Sequence, residues 1–142
     1  MRGGYLVRIC VCGGGERFRA YLSLPKGWEL AETGKVDLAV VLAGELPAGS
    51  TCTALLLWEG AALQERWGAQ QVISCGFSPR CSLTLASFSP RGAVLSVQRA
   101  IPCGDGRCIL PQDIPLPQEW ASLSAEEQVM LAGIALLTGT ME

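Results

Sequence analysis

The apolar positions of this chain change their spacing from one stretch to the next, and each spacing predicts a different element. Val36–Ala43 and Thr53–Trp58 are continuous apolar runs, the pattern of strands buried on both faces in a parallel sheet. Gly60–Gly68 carries apolar residues at helical spacing, which predicts a short crossover helix to another buried strand, Val72–Cys75. Two buried strands joined by a helix make a right-handed βαβ unit. Upstream, Tyr5–Cys12 and Arg17–Leu24 are apolar or alternating runs separated by Gly13-Gly14-Gly15-Glu16, the composition of a hairpin turn. Beyond Phe77 the period becomes two. Leu83 and Leu85 alternate with Thr84, Val94–Val97 forms another short strand, and Ile109–Leu116 a third. Pro79, Pro90, Gly92 and Gly104-Asp105-Gly106 mark the turns of an antiparallel meander. The chain closes on a helix that opens with the capping box Ser124-x-x-Glu127 and places Met130, Leu131, Ile134 and Leu137 on one face.

These elements predict an α/β fold: a small open sheet with a parallel βαβ middle, an amino-terminal β-hairpin over residues 1–27, an antiparallel meander and a carboxy-terminal helix. A chain of 142 residues with 49% hydrophobic content is about one domain with one substantial core. Its net charge is −2 and its eleven Lys and Arg residues are scattered, which argues against a nucleic-acid footprint. The longest apolar run, Val129–Leu137, is too short to span a bilayer. Arg8 interrupts Tyr5-Leu6-Val7 before a signal-peptide core can form. A cytoplasmic protein is expected.

Seven cysteines raise the question of metal. Cys10-Val11-Cys12 and the pair Cys103 and Cys108 invite a four-thiolate zinc site, but neither pair has the C-x₂-C knuckle spacing. In a strand, Cys10 and Cys12 share one face, which suits packing as well as chelation. Buried thiols of a reducing compartment are the simpler reading. Cys75 and Cys81 flank the Gly76–Arg80 turn, where Arg80 is the only nearby cation to lower a thiol pKa.

The order of pieces from Thr53 to Gly139 resembles the later part of the ATP-binding domain of the Mur ligases, which add amino acids to peptidoglycan precursors. Gln71–Ala86 is similar to that family's strand, "FG" turn and strand, with Val72–Phe77 and Ser82–Ala86 as the two strands. Asp113–Pro117 resembles its short "LPLPG" strand, and Glu126–Gly139 its following alanine- and leucine-rich helix. The resemblance implies a Mur-ligase-like core over residues 36–139. It does not carry the catalytic machinery. The nearest approach to a phosphate loop is Glu32–Asp37, with Glu29 where the loop needs glycine and Val36 where it needs a magnesium-binding hydroxyl.

The sequence contains no histidine, which removes the commonest general base. Asp105 suits a glycine turn, and Glu126 and Glu127 suit a helix start. No catalytic residue, metal ligand or cofactor is expected. Arg80, Gln98 and Arg99 form the polar set to watch, either as solvated strand ends or as anchors of an anionic ligand.

Two functional classes follow. One is a non-catalytic interaction or regulatory protein, a Mur-ligase-like remnant linked to the bacterial cell envelope that binds a protein partner or itself, with no nucleic acid and no membrane. Its anchors would be found among Trp28, Trp58, Trp67 and Trp120. The other is a small-ligand or nucleotide-binding domain using the carboxyl ends of its parallel strands. A thiol enzyme built on Cys75 or Cys81 is a third, more distant reading.

Overall fold

A computed structural model describes residues 7–32, 34–44, 49–61, 68–103 and 106–140. Strands make up 41% of these residues, beside two helices. The strands are β1 (Val7–Cys12), β2 (Trp28–Leu30), β3 (Lys35–Val41), β4 (Thr51–Trp58), β5 (Gln71–Cys75), β6 (Leu83–Ser89), β7 (Gly92–Val97), β8 (Ile101–Pro102), β9 (Cys108–Ile109) and β10 (Gln112–Pro115). The helices are α1 (Glu16–Ala20) and α2 (Ala125–Thr138), and Gln118–Ser122 forms a 3₁₀ turn. Eight strands make one mixed sheet in the order β10-β7-β6-β5-β4-β3-β1-β2, while β8 and β9 pair separately.

This is a mostly β architecture, not the small α/β sheet with a βαβ middle that the apolar runs predict. From β3 to β6 each strand lies parallel to the one before it, so the chain winds as a β-solenoid of about three turns. Residues 42–50 join β3 to β4 and residues 76–82 join β5 to β6, both shorter than the dozen or so residues of a helical crossover, so neither of these steps of the winding is a βαβ unit. The helix expected within Gly60–Gly68 falls largely on residues 62–67, outside the described residues.

The amino-terminal hairpin is also replaced. Gly13, Gly14 and Gly15 lead into helix α1, and β2 pairs parallel with β1, with Val7 opposite Trp28. Alternation in Arg17–Leu24 concealed a second period: Phe18, Tyr21 and Leu22 stand at i, i+3 and i+4. Phe18 is fully buried, and Tyr21 and Leu22 pack against the same core. Gly13 and Gly14 adopt φ of +88° and +79°. A Cβ on Gly13 would lie 2.7 Å from the Ala43 backbone nitrogen, and one on Gly14 would lie 2.6 Å from the Phe18 ring.

Alternate residues of the central strands feed two buried clusters. Leu38, Val40, Leu56 and Ile73 belong to the larger one with α2, and Ala39, Val41, Leu55 and Cys10 to the other. Burial on both faces is why these strands read as unbroken apolar runs. Helix α2 is buried along most of its circumference, with Gln128 through Ile134, Leu136 and Thr138 all enclosed. Its capping box is present, Glu127 N–H donating to Ser124 Oγ at 3.1 Å and Ser124 N–H to Glu127 Oε1 at 3.0 Å. Of the expected stripe, Leu137 is only half-buried, and Leu136 is enclosed instead.

The strand expected over Ile109–Leu116 is split between β9 and β10, with Pro111 in the break. Just past β10, Leu116 N–H donates to the Ala93 carbonyl at 2.9 Å, which makes Ile114 and Leu116 the residues bonded to β7. Pro115 and Pro117 therefore occupy the alternate positions, where an N–H would point out from the open edge. Placing proline there withholds the donors that another chain would use to add a strand.

Leu131→Ala should cost about 2–5 kcal/mol in chemical denaturation, whereas Leu137→Ala, starting from a half-exposed side chain, should cost clearly less. Pro115→Val should return an outward N–H to the β10 edge, and light scattering should then show more concentration-dependent self-association than in the parent protein.

Candidate functional site

The carboxyl ends of β4 and β5 converge with the start of β6. Trp58 ends β4 and Glu59 follows it, its N–H donating to the Cys75 carbonyl at 2.8 Å. The Glu59 carboxylate then turns across the next connection. Oε2 accepts the Phe77 N–H at 2.6 Å, and Oε1 accepts the Cys81 thiol at 3.6 Å. Gly76 makes room for this, because a Cβ there would lie 2.3 Å from the Glu59 carboxyl carbon.

The same connection is tied from its far side. The Gln98 side chain donates to the Cys81 carbonyl at 2.7 Å, the Arg99 guanidinium donates to the Arg80 carbonyl, and Arg80 N–H donates to Ser78 Oγ at 3.1 Å. Arg80, Gln98 and Arg99, picked out from sequence as a possible anion anchor, are thus brought together. The two side chains on the β7 side are directed at backbone carbonyls of the 76–81 loop, so their observed work is to hold that loop. Arg80 is exposed.

Phe77 is the residue this scaffold presents. It is 57% exposed, with its ring edge-on to Trp58 at a centroid distance of 5.1 Å and an interplanar angle of 84°. Of the expected tryptophan anchors, the three among the described residues are not exposed: Trp58 and Trp120 are buried and Trp28 packs against the core, while Trp67 lies outside the described residues. Neither Glu59 nor Phe77 was singled out as a site residue from the sequence. An acidic residue and glycine directly after an apolar parallel strand was the available signal for Glu59.

All seven cysteines are free thiols. Cys10 and Cys12 stand on β1, whereas Cys103 follows β8 and Cys108 begins β9, in the separate ribbon. Cys52 on β4 shares the buried cluster of Cys10. Among the described residues no group of three or more His, Cys, Asp or Glu side chains is arranged to hold a metal ion. Burial pushes the Cys75 thiol well above its ordinary range, and Cys81 upward as well, with the Glu59 carboxylate adding to the effect. Both shifts oppose thiolate formation, the reverse of what a thiol enzyme needs.

The segment once comparable to a phosphate loop leads directly into β3, with Lys35 as its first residue and the Gly34 carbonyl accepting Thr51 N–H at 3.1 Å. The glycines after β1 are committed to close packing, and Arg19 donates to the carbonyls of Val11 and Gly13 at 3.0 and 3.2 Å. A cleft of about 510 Å³ lies beside β10. Tyr21, Pro115, Pro117, Glu119, Trp120 and Thr140 contribute to its lining.

No protein-family model, curated protein or solved structure matches this chain.

Thiol chemistry should follow the burial pattern. Alkylation of the native protein at mildly alkaline pH should label exposed Cys108 first and reach Cys75 only on unfolding, as peptide mass spectrometry can read directly. Burial and neighbouring Cys10 push Cys12 from 9.0 to about 11. The folded state then binds a proton that the unfolded state releases, so this thiol's contribution to stability is complete below about 9 and is withdrawn as pH rises through about 11. Denaturation of the parent and Cys12→Ala proteins across that window should show the parent losing more stability with rising pH.

Proposed function

We propose that this chain is a non-catalytic interaction protein that engages a protein partner through the loop from Gly76 to Cys81. The observation carrying the reading is an exposed aromatic on a backbone held in place before any partner arrives: Phe77 on the Glu59 carboxylate, Arg80 and Cys81 under Arg99 and Gln98. An aromatic and an arginine are the residue types that dominate binding energy at interfaces. A loop already ordered loses little conformational freedom on binding.

The seven free thiols support a reducing compartment such as the cytoplasm, and no described helix is long and apolar enough to cross a membrane.

A photo-crosslinking side chain placed at position 77 in the native cell tests the proposal, with position 88, near the end of β6 and similarly exposed, as the control. The expected result is a discrete protein adduct from position 77 that is missing from position 88. With that partner purified, Phe77→Ala should weaken binding by about 2 kcal/mol or more without changing the melting temperature. Indistinguishable adducts from the two positions, or binding unaffected by Phe77→Ala, would remove this loop as the interaction site.

A further inference from the structure

Cys10 and Cys12 are two residues apart on β1, so their side chains leave the strand on the same face. There they stand beside Ala39 and Val41 of β3, their partners in the ladder. Cys10 belongs to the smaller buried cluster with these two residues and Leu55, and Cys12 packs against that cluster while half-buried. The two thiols lie within hydrogen-bonding reach of each other, and the Cys10 thiol also donates to the Glu32 carbonyl at 3.8 Å. Strand β2 accompanies β1 only as far as Ile9, opposite Leu30. Past that point β3 is the one described strand that flanks β1, and Cys12 is the end of the pair that solvent reaches.

The chemistry of this pair selects a narrow class of ligand. Thiolate sulfur is a soft donor, and on an apolar floor it suits a soft cation such as copper(I). A structural zinc ion takes four such ligands, whereas among the described residues no third His, Cys, Asp or Glu is grouped with these two. Cys52 shares the buried cluster without completing such a group. Two thiolates around a monovalent cation leave one negative charge, and Arg19 is placed to balance it. Its guanidinium is fixed on the carbonyls of Val11 and Gly13, either side of Cys12, at 3.0 and 3.2 Å, and it acts on Cys12 in the direction that favours the thiolate.

We propose that Cys10 and Cys12 form a two-coordinate site for copper(I), with one sulfur on either side of the metal. On binding, both thiols release their protons to solvent and two copper–sulfur bonds form. No electron is transferred and no co-reactant is required. The site lies apart from the 76–81 loop and does not depend on a partner there.

The test is an anaerobic transfer of copper(I) from its bicinchoninate complex to the full chain, read by loss of the visible absorbance of that complex and followed by X-ray absorption at the copper edge. The expected result is one copper per chain with two sulfur neighbours, and an unchanged circular dichroism spectrum. Cys12→Ser, a near-isosteric change at a half-buried position, should keep that spectrum and abolish the transfer. Replacing Cys103 and Cys108 together by serine should leave the transfer intact. Transfer that persists in Cys12→Ser, transfer lost with Cys103 and Cys108, three or more sulfur neighbours at the metal, or no transfer to the parent protein would each overturn the proposal.

Discussion

The close seating of α2 on the sheet is the constraint around which the larger core is arranged, and it depends on a missing side chain. A Cβ on Gly133 would stand 2.9 Å from Leu56 Cδ2 and 3.1 Å from Leu83 Cδ1, so a larger residue would force either the helix or these leucines to move. Leu56 belongs to β4 and Leu83 to β6, which means that one glycine sets the helix against two turns of the solenoid. Glycine within a helix costs about 1 kcal/mol relative to alanine. Burial of Val129, Met130, Leu131 and Ile134, each contributing on the order of 1.5–3 kcal/mol, readily offsets that cost. Gln128, enclosed at the start of the helix, donates to the Leu123 carbonyl at 3.1 Å and so secures the preceding turn to the same core.

A second dependence runs from that core outward. Burial of Trp58 at the end of β4 places Glu59 at the carboxyl end of a central strand, where one carboxylate bridges the backbone of Phe77 and the thiol of Cys81. The proposed interaction loop is therefore positioned by the packed strands beneath it. Its exposed ring and its raised thiol pKa have one origin: the loop is drawn in at Cys81, which buries the sulfur beside a carboxylate, while Phe77 is left outside.

The two edges of the sheet are handled differently. At one edge β2 is only three residues long, and at the other the prolines beside β10 remove outward donors.

What the chain encodes over short distances could be read directly. The capping box at Ser124 and the apolar helix after it depend on residues three and four apart, and the apolar runs of β3, β4 and β5 announce strands buried on both faces. Turns at Pro90 and Gly92 likewise carry their own chemistry. Pairing over longer distances could not be read in this way. Phe18, Tyr21 and Leu22 satisfy both an alternating and a helical pattern, and burial of Phe18 beneath Gly14 selects the helix and makes β1 and β2 parallel. Arg80, Gln98 and Arg99 were legible as a polar set, but whether their side chains serve a ligand or the backbone depends on where β7 lies relative to the 76–81 loop. Pro115 becomes an edge device only once Leu116 has chosen Ala93 as its partner. Local propensity and period are written residue by residue, whereas register, burial and the direction of a hydrogen bond belong to pairs of distant segments and exist only when both are in place.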